Sequence, residues 1–198
     1  MLANKYNSLY EAYLFGNREG SGYAIFETHK EWFREELHSG RLKLYLKAHL
    51  EEVLESRDAR KYDYSILLIQ AIGIELEPED DHFELLFKIA LGLFTDQPNK
   101  NMGWLMYQLM DISIHHGEEI EKLNQGSPSL AYEVFAEIGK QKYTSTQSGP
   151  NMYFAAYKAI WLFQYLRQEE SKKLLEEIYM KHFDSRVAED AIEEYEGM

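Results

Sequence analysis

Apolar side chains recur every three or four residues along most of the chain, and this spacing limits the fold more than any other feature of the sequence. Tyr6, Leu9, Tyr10, Tyr13 and Leu14 form the first such run. This spacing places side chains on one face of an α-helix and is typical of a helix that packs against a core. The sequence therefore predicts amphipathic helices along most of its length.

The most apolar segment, residues 62–76, is rich in isoleucine and would also suit a buried β-strand. No second strand-like run exists that could pair with it, and a strand needs a partner for its backbone hydrogen bonds. A buried central helix is the simpler prediction. The fold class predicted for the chain is therefore all-α, with about nine to ten helices in a bundle or an irregular array.

The length of 198 residues suits one sizeable core and is marginal for two, so residues 1–198 are predicted to form a single helical domain. Two stretches, near 16–22 and 143–151, are rich in Gly, Ser, Thr, Asn and Pro and are predicted to be mobile loops. Fifteen Tyr and ten Phe predict an aromatic core. A second interpretation, that some Tyr lie on a binding face, stays open.

No motif in the sequence indicates a particular reaction. The chain has no cysteine, which excludes disulfides and thiolate chemistry and fits a reducing compartment. It has no Gly-x-Ser-x-Gly motif and no apolar run near the roughly 20 residues of a membrane span. We therefore predict no catalytic residues, no cofactor, no membrane contact and a cytoplasmic location.

Two Glu-x-x-His pairs have the spacing of halves of a carboxylate-bridged metal site: Glu35 with His38, and Glu79 with His82. One pair lies at a predicted helix end and the other in a predicted first turn, whereas inward-facing ligands belong in mid-helix. We predict no metal site from these pairs. The alternative function nevertheless remains a helical enzyme or ligand-binding domain whose site is assembled from distant residues, such as a carboxylate and histidine metal site.

Negative charge is concentrated in the middle third of the chain. Residues 62–139 contain fourteen acids and three lysines, so they carry −11 of the total net charge of −13. A field of one sign speeds association with basic partners and repels nucleic acid. This distribution predicts a basic protein partner, such as a nuclease or a DNA-binding protein, and no direct binding of DNA or RNA.

Two acidic clusters are the candidate partner-binding site. The first has six acids within ten residues, and the second follows about 35 residues later; together they comprise Glu75, Glu77, Glu79, Asp80, Asp81, Glu84, Glu118, Glu119 and Glu121. We expect an acidic helical module that docks on a basic partner and inhibits it, as immunity proteins, antitoxins and anti-defence proteins do. One variant is a nucleic-acid mimic, in which carboxylates imitate phosphates on a shared exposed face.

Overall fold

The computed structural model describes residues 2–18, 24–77, 81–96, 102–141, 149–182 and 193. Within these ranges every regular element is helical and there is no β-strand, which confirms the predicted all-α class. None of the helices in the described ranges is long and apolar enough to cross a membrane. The chain comprises two compact units, Met1–Leu76 and Glu77–Met198, which we describe separately. The single domain predicted for residues 1–198 stays a prediction.

The first unit contains five helices: α1 (Leu2–Arg18), α2 (Ala24–Thr28), α3 (Lys30–His38), α4 (Arg41–Ser56) and α5 (Ala59–Ile72). Gly40, between α3 and α4, and Gly73, after α5, both have positive φ angles, of 76° and 67°. Glycine enters this left-handed region without the steric cost that other residues bear, so it ends helices readily. The predicted central helix over 62–76 is therefore too long, because the chain leaves the helix at Gly73.

The core of the first unit is an aromatic cluster around Tyr64, which is fully buried. Its ring centroid lies 5.3 Å from that of Tyr10, 5.1 Å from Tyr13, 5.7 Å from Phe26 and 5.8 Å from His49. These separations are those of favourable stacked, tilted and edge-to-face ring contacts. The Tyr content thus builds a core in this unit, as the sequence predicts.

The buried His49 gives the first unit a pH-dependent stability. Burial lowers its pKa below the ordinary histidine value, because removal from water disfavours the charged ring. In the unfolded chain the pKa is about 6.5, so below that pH the unfolded chain binds the extra proton. Stability should therefore fall as the pH drops through about 6.5.

This prediction is checked by urea unfolding at pH 7.5, 6.5 and 5.5. A His49→Gln variant should show a smaller fall in unfolding free energy over this range than the wild type. His38→Gln serves as the control, because His38 is exposed at the end of α3. An equal fall in all three proteins would contradict the assignment to His49.

The second unit contains α6 (His82–Asp96), α7 (Met102–Ser113), α8 (Gly117–Leu123), α9 (Leu130–Lys140), α10 (Gly149–Trp161), a 3₁₀ turn at Phe163–Tyr165, α11 (Gln168–Leu174), a π-helical segment at Leu175–Tyr179 and α12 (Met180–His182). The Ser127-Pro128 pair suggests a helix start at those residues, but α9 begins two residues later. Ser129 is the N-cap, since its hydroxyl accepts a hydrogen bond of 2.9 Å from the backbone N–H of Tyr132.

The core of the second unit is centred on Phe135 in α9. The ring of Phe135 lies 6.1 Å from those of Phe87 and Phe163, and Phe163 lies 5.1 Å from Tyr179. The hydroxyl of Tyr179 donates a 2.9 Å hydrogen bond to the carbonyl of Phe135. The π-helical segment thus delivers a tyrosine that is both packed and hydrogen-bonded against α9.

The two predicted mobile loops lie partly outside the described residues. Residues 16–18 belong to α1, and residues 149–151 belong to α10, so the helices extend further into both stretches than the predicted bounds. Gly16 does not end α1, because a single glycine in a helix costs only about 1 kcal/mol. The mobility of the remaining residues stays a prediction.

Candidate functional site

A cleft of about 340 Å³ in the second unit brings the two acidic clusters together. Its walls come from two stretches of chain, one around the start of α6 and the other from α8 to the start of α9. The lining residues are Glu77, Asp81, Phe83, Glu84, Lys88, Glu119, Lys122, Leu123, Gln125, Gly126, Pro128 and Leu130. Four of them are carboxylates that the sequence assigns to the candidate site.

The first wall is organised by the start of α6. Asp81 has a φ angle of 56°, a region that Asp tolerates better than most residues, and its carbonyl accepts the N–H of Leu85 at 3.1 Å. This geometry starts the helix. Acids at this position are stabilised by the positive end of the helix dipole. Local backbone chemistry therefore places Asp81 and Glu84 at the rim of the cleft.

Two lysines lie among these acids. Lys88 pairs with Glu84 one helical turn away, and Nζ of Lys122 lies 3.4 Å from Oδ1 of Asp81, which is 41 residues distant in sequence. The side chains of both pairs are 38–48% exposed. Exposed pairs of this kind contribute only about 0–1 kcal/mol each. The lysines thus reduce the local negative charge, and the lining of the cleft has four carboxylates against two lysines.

Glu119 does not have the exposed position that the sequence predicts for it. It is 7% exposed, and its Oε1 lies 3.1 Å from Nδ1 of His116. The His116 ring in turn packs against Phe83 at a centroid distance of 4.8 Å. A carboxylate in the first turn of α8 with a histidine partner can be buried because its oxygen is hydrogen-bonded. Glu119 therefore lies in the wall of the cleft instead of on its rim.

The other members of the two clusters lie elsewhere or outside the description. Glu75, Glu118 and Glu121 are exposed but do not line the cleft. Glu79 and Asp80 lie outside the described residues. The acids of the described residues therefore do not share the single exposed face that was predicted. Some of them line a cleft, and others lie away from it.

Sequence reasoning did not identify the non-acidic members of the cleft. The i, i+4 spacing of Glu84 and Lys88 is a signal that could have indicated their pairing. No sequence signal marks Lys122, Leu123 or Leu130, because these meet the first wall only through tertiary packing, and none shows that Phe83 of the first wall lines the cleft. The result is a cleft with an apolar floor and mixed but mainly acidic charges.

The Glu-x-x-His pairs do not combine into a metal site in the described part of the chain. Glu35 and His38 are both exposed on α3, His82 is buried, and Glu79 is outside the described residues. Nowhere in the described ranges do three or more His, Asp or Glu side chains come together in a group that could hold a metal ion.

Fold and site together define an all-α protein with an acidic, partly apolar cleft in its second unit. Comparison with protein-family models, with curated proteins and with solved structures found no match for this chain. The cleft and the charges around it are therefore the features of this protein that bear on its function.

Proposed function

We propose that the protein is an acidic helical binding module that docks on a basic surface of another protein through the cleft in its second unit. The observation that carries this proposal is the meeting of Glu77, Asp81, Glu84 and Glu119 around one cleft, although the two clusters are about 35 residues apart in sequence. A cationic side chain entering the cleft would meet carboxylates from both walls.

The apolar floor of the cleft supports the same proposal. Phe83, Leu123 and Leu130 offer contacts to the aliphatic part of a Lys or Arg side chain, which buries its methylene groups on apolar surface while its charge meets acids. Binding sites combine apolar area with a few well-placed polar groups in this way. Carboxylates at the rim would attract the partner, and the floor would slow its dissociation.

The net charge of −13 supports a basic partner over a nucleic acid. The field attracts a basic protein at long range and repels phosphates. Within this proposal, the finer expectation is an inhibitor of the immunity, antitoxin or anti-defence type, which blocks a nuclease or DNA-binding protein in the cytoplasm. For nucleic-acid mimicry, Glu77, Asp81 and Glu84 would occupy the positions of phosphates on the partner.

A second candidate function is binding of a small organic cation. The volume of about 340 Å³ favours it, because it falls at the lower end of the range for small-molecule sites, which is about 300–1,000 Å³. An aliphatic polyamine has the right chemistry, since its charges would meet the carboxylates and its methylene groups the floor. Calorimetric titration with a polyamine distinguishes this candidate from a protein partner.

The deciding experiment compares two triple charge reversals in partner capture from a native lysate at low salt. The first variant, Glu77→Lys, Asp81→Lys and Glu84→Lys, changes the cleft. The second changes three exposed acids of the first unit, Glu11, Glu51 and Glu55, to Lys. Both variants reduce the net negative charge from −13 to −7, so both weaken the long-range electrostatic field to the same extent.

We expect the cleft variant to bind the captured basic partner at least about 100-fold more weakly than the wild type, because like charges then face each other at short range. The control variant should lose about tenfold or less, through slower association. Wild-type binding should weaken as salt rises above about 0.15 M. Equal losses in both variants would mean that overall charge, and not the cleft, determines binding; no loss in either would overturn the proposal.

A further inference from the structure

Helices α7 and α10 of the second unit present an aromatic surface to solvent. Among their residues with described side chains, 102–113 and 152–161, eight positions are not buried. Six of these eight are aromatic: Trp104, Tyr107, Tyr153, Phe154, Tyr157 and Trp161. Phe154 is 51% exposed and Trp161 is 43% exposed. We call these six residues the aromatic face.

The remaining two positions, Asp111 and Lys158, are paired with each other between the two helices. Nζ of Lys158 also lies 4.8 Å from the centroid of the Tyr107 ring, a cation–π contact. The Tyr107 ring lies 5.9 Å from that of Trp104 on the same helix. These contacts link the α7 and α10 parts of the aromatic face into one surface.

The spacing of the exposed residues explains why the surface is continuous. Positions 154, 157, 158 and 161 fall on one side of α10, and positions 104, 107 and 111 fall on one side of α7. The helices approach closely because α10 buries Ala155, Ala156 and Ala159 and α7 buries Gly103. Small residues carry the packing, so the aromatic residues are left on the outside.

The aromatic face has far less charge than the rest of the protein. Helices α7 and α10 have 12 and 13 residues, and Asp111 and Lys158 are their only charged ones, whereas charged residues make up 28% of the whole chain. The largest apolar patch on a soluble protein is often a functional surface. Trp and Tyr are also the residues most enriched at the centres of interfaces.

We propose that the aromatic face binds the same face of a second copy of the chain in a two-fold symmetric dimer. A two-fold interface needs a surface that is complementary to itself. Aromatic rings stack on aromatic rings, and the neutral Asp111–Lys158 pair allows each copy's lysine to approach the other's aspartate. A basic partner, by contrast, would find no net negative charge on this face to pair with.

The area of the aromatic face is consistent with binding of a second copy of the chain. Phe154 and Trp161 are about half exposed and the other four rings are partly buried, so with about 150–250 Å² for a whole aromatic side chain the six rings together offer roughly 400 Å² per copy. A standard interface buries about 800 Å² per partner, a little more than half of it apolar. The aromatic face supplies about the apolar share of such an interface, and its rim residues would supply the remainder.

The net charge predicts how the dimer responds to salt. Two copies at −13 repel each other, and the neutral aromatic face is where they can meet without like charges in contact. Screening by salt reduces this repulsion, so dimer formation should strengthen as salt rises. Binding to a basic partner should weaken under the same change. The two proposals therefore have opposite salt dependences, and the aromatic face shares no residue with the cleft.

The test is analytical ultracentrifugation of the full chain up to about 100 µM, at about 0.05 M and 0.5 M NaCl. We expect a monomer–dimer equilibrium whose Kd is lower at the higher salt concentration. Phe154→Glu and Trp161→Glu should each raise the Kd at least about 30-fold, because an unpaired carboxylate would be buried in each half of the interface. Circular dichroism checks that both variants remain folded.

Leu44→Glu is the matched control, because Leu44 in α4 is 72% exposed and its replacement adds the same charge to the first unit. Its Kd should stay within about threefold of the wild type. A wild type that remains monomeric at both salt concentrations would overturn the proposal. So would a dimer that persists in the Phe154→Glu and Trp161→Glu variants or that is lost equally in Leu44→Glu.

Discussion

A Phe135→Ala variant should unfold with about 3–5 kcal/mol less free energy than the wild type, which is the cost of emptying a packed aromatic site in a core. Phe135 is fully buried and lies between the rings of Phe87 and Phe163. Its loss leaves a cavity that these rings fill only partly, because close-packed interiors relax little. An ordinary domain has a total stability of about 5–15 kcal/mol, so the loss would be severe.

Urea unfolding at low protein concentration, followed by circular dichroism, measures this loss. Phe154→Ala is the control, because it removes the same side chain from a site that is 51% exposed in the same unit. The control should change the unfolding free energy by about 0.5 kcal/mol or less. Similar losses in the two variants would show that Phe135 is not at the centre of the core.

A Gly139→Val variant should have a free energy of unfolding about 3 kcal/mol or more below that of the wild type, although valine has a higher helix propensity than glycine. Gly139 lies near the end of α9, where a side chain should improve the helix by up to about 1 kcal/mol. However, a Cβ atom at this position would lie 2.6 Å from Cε2 of Tyr179 and 2.9 Å from Cγ2 of Ile178. The Tyr179 ring is fully buried and cannot move aside, so overpacking outweighs propensity.

Two further variants test this cause by thermal and urea unfolding. Gly139→Ala should also destabilise the protein, but less than valine does, because it adds only the clashing Cβ. In a Tyr179→Leu background the ring is gone, so the cost of Gly139→Ala should shrink or reverse. A Gly139→Ala variant that is more stable than the wild type in the Tyr179 background would mean that the helix end shifts without cost.

The helices themselves were largely predictable, because a helix is stabilised by contacts between residues three and four apart. The apolar run that begins at Tyr6 lies in α1, and most of the apolar segment 62–76 is helical as predicted, in α5 (Ala59–Ile72). The ends were less predictable. A Ser-Pro-Ser sequence offers two possible caps, and only the hydrogen bond from Tyr132 identifies Ser129 as the one used.

The candidate site was predicted in part. The sequence identified Asp81 and Glu84 as members of an acidic cluster, and the structure places them at the start of α6, where acids are stabilised locally. It did not indicate that Lys122 would approach Asp81 or that Glu119 would be buried beside His116. For the aromatic face, the sequence left open only the general possibility that some Tyr lie on a binding face, because the sequence does not tell which of the aromatic residues remain outside the core.

The sequence alone determined the helical class and the excess of acids in residues 62–139, because periodicity and charge are properties of neighbouring residues and of composition. Tertiary packing decided which acids share a cleft, which lysines join them and which rings face solvent. Each of these depends on residues far apart in the chain, such as Asp81 and Lys122, or Asp111 and Lys158. Such pairs meet only when particular helix faces pack together, and local spacing does not encode which faces those are.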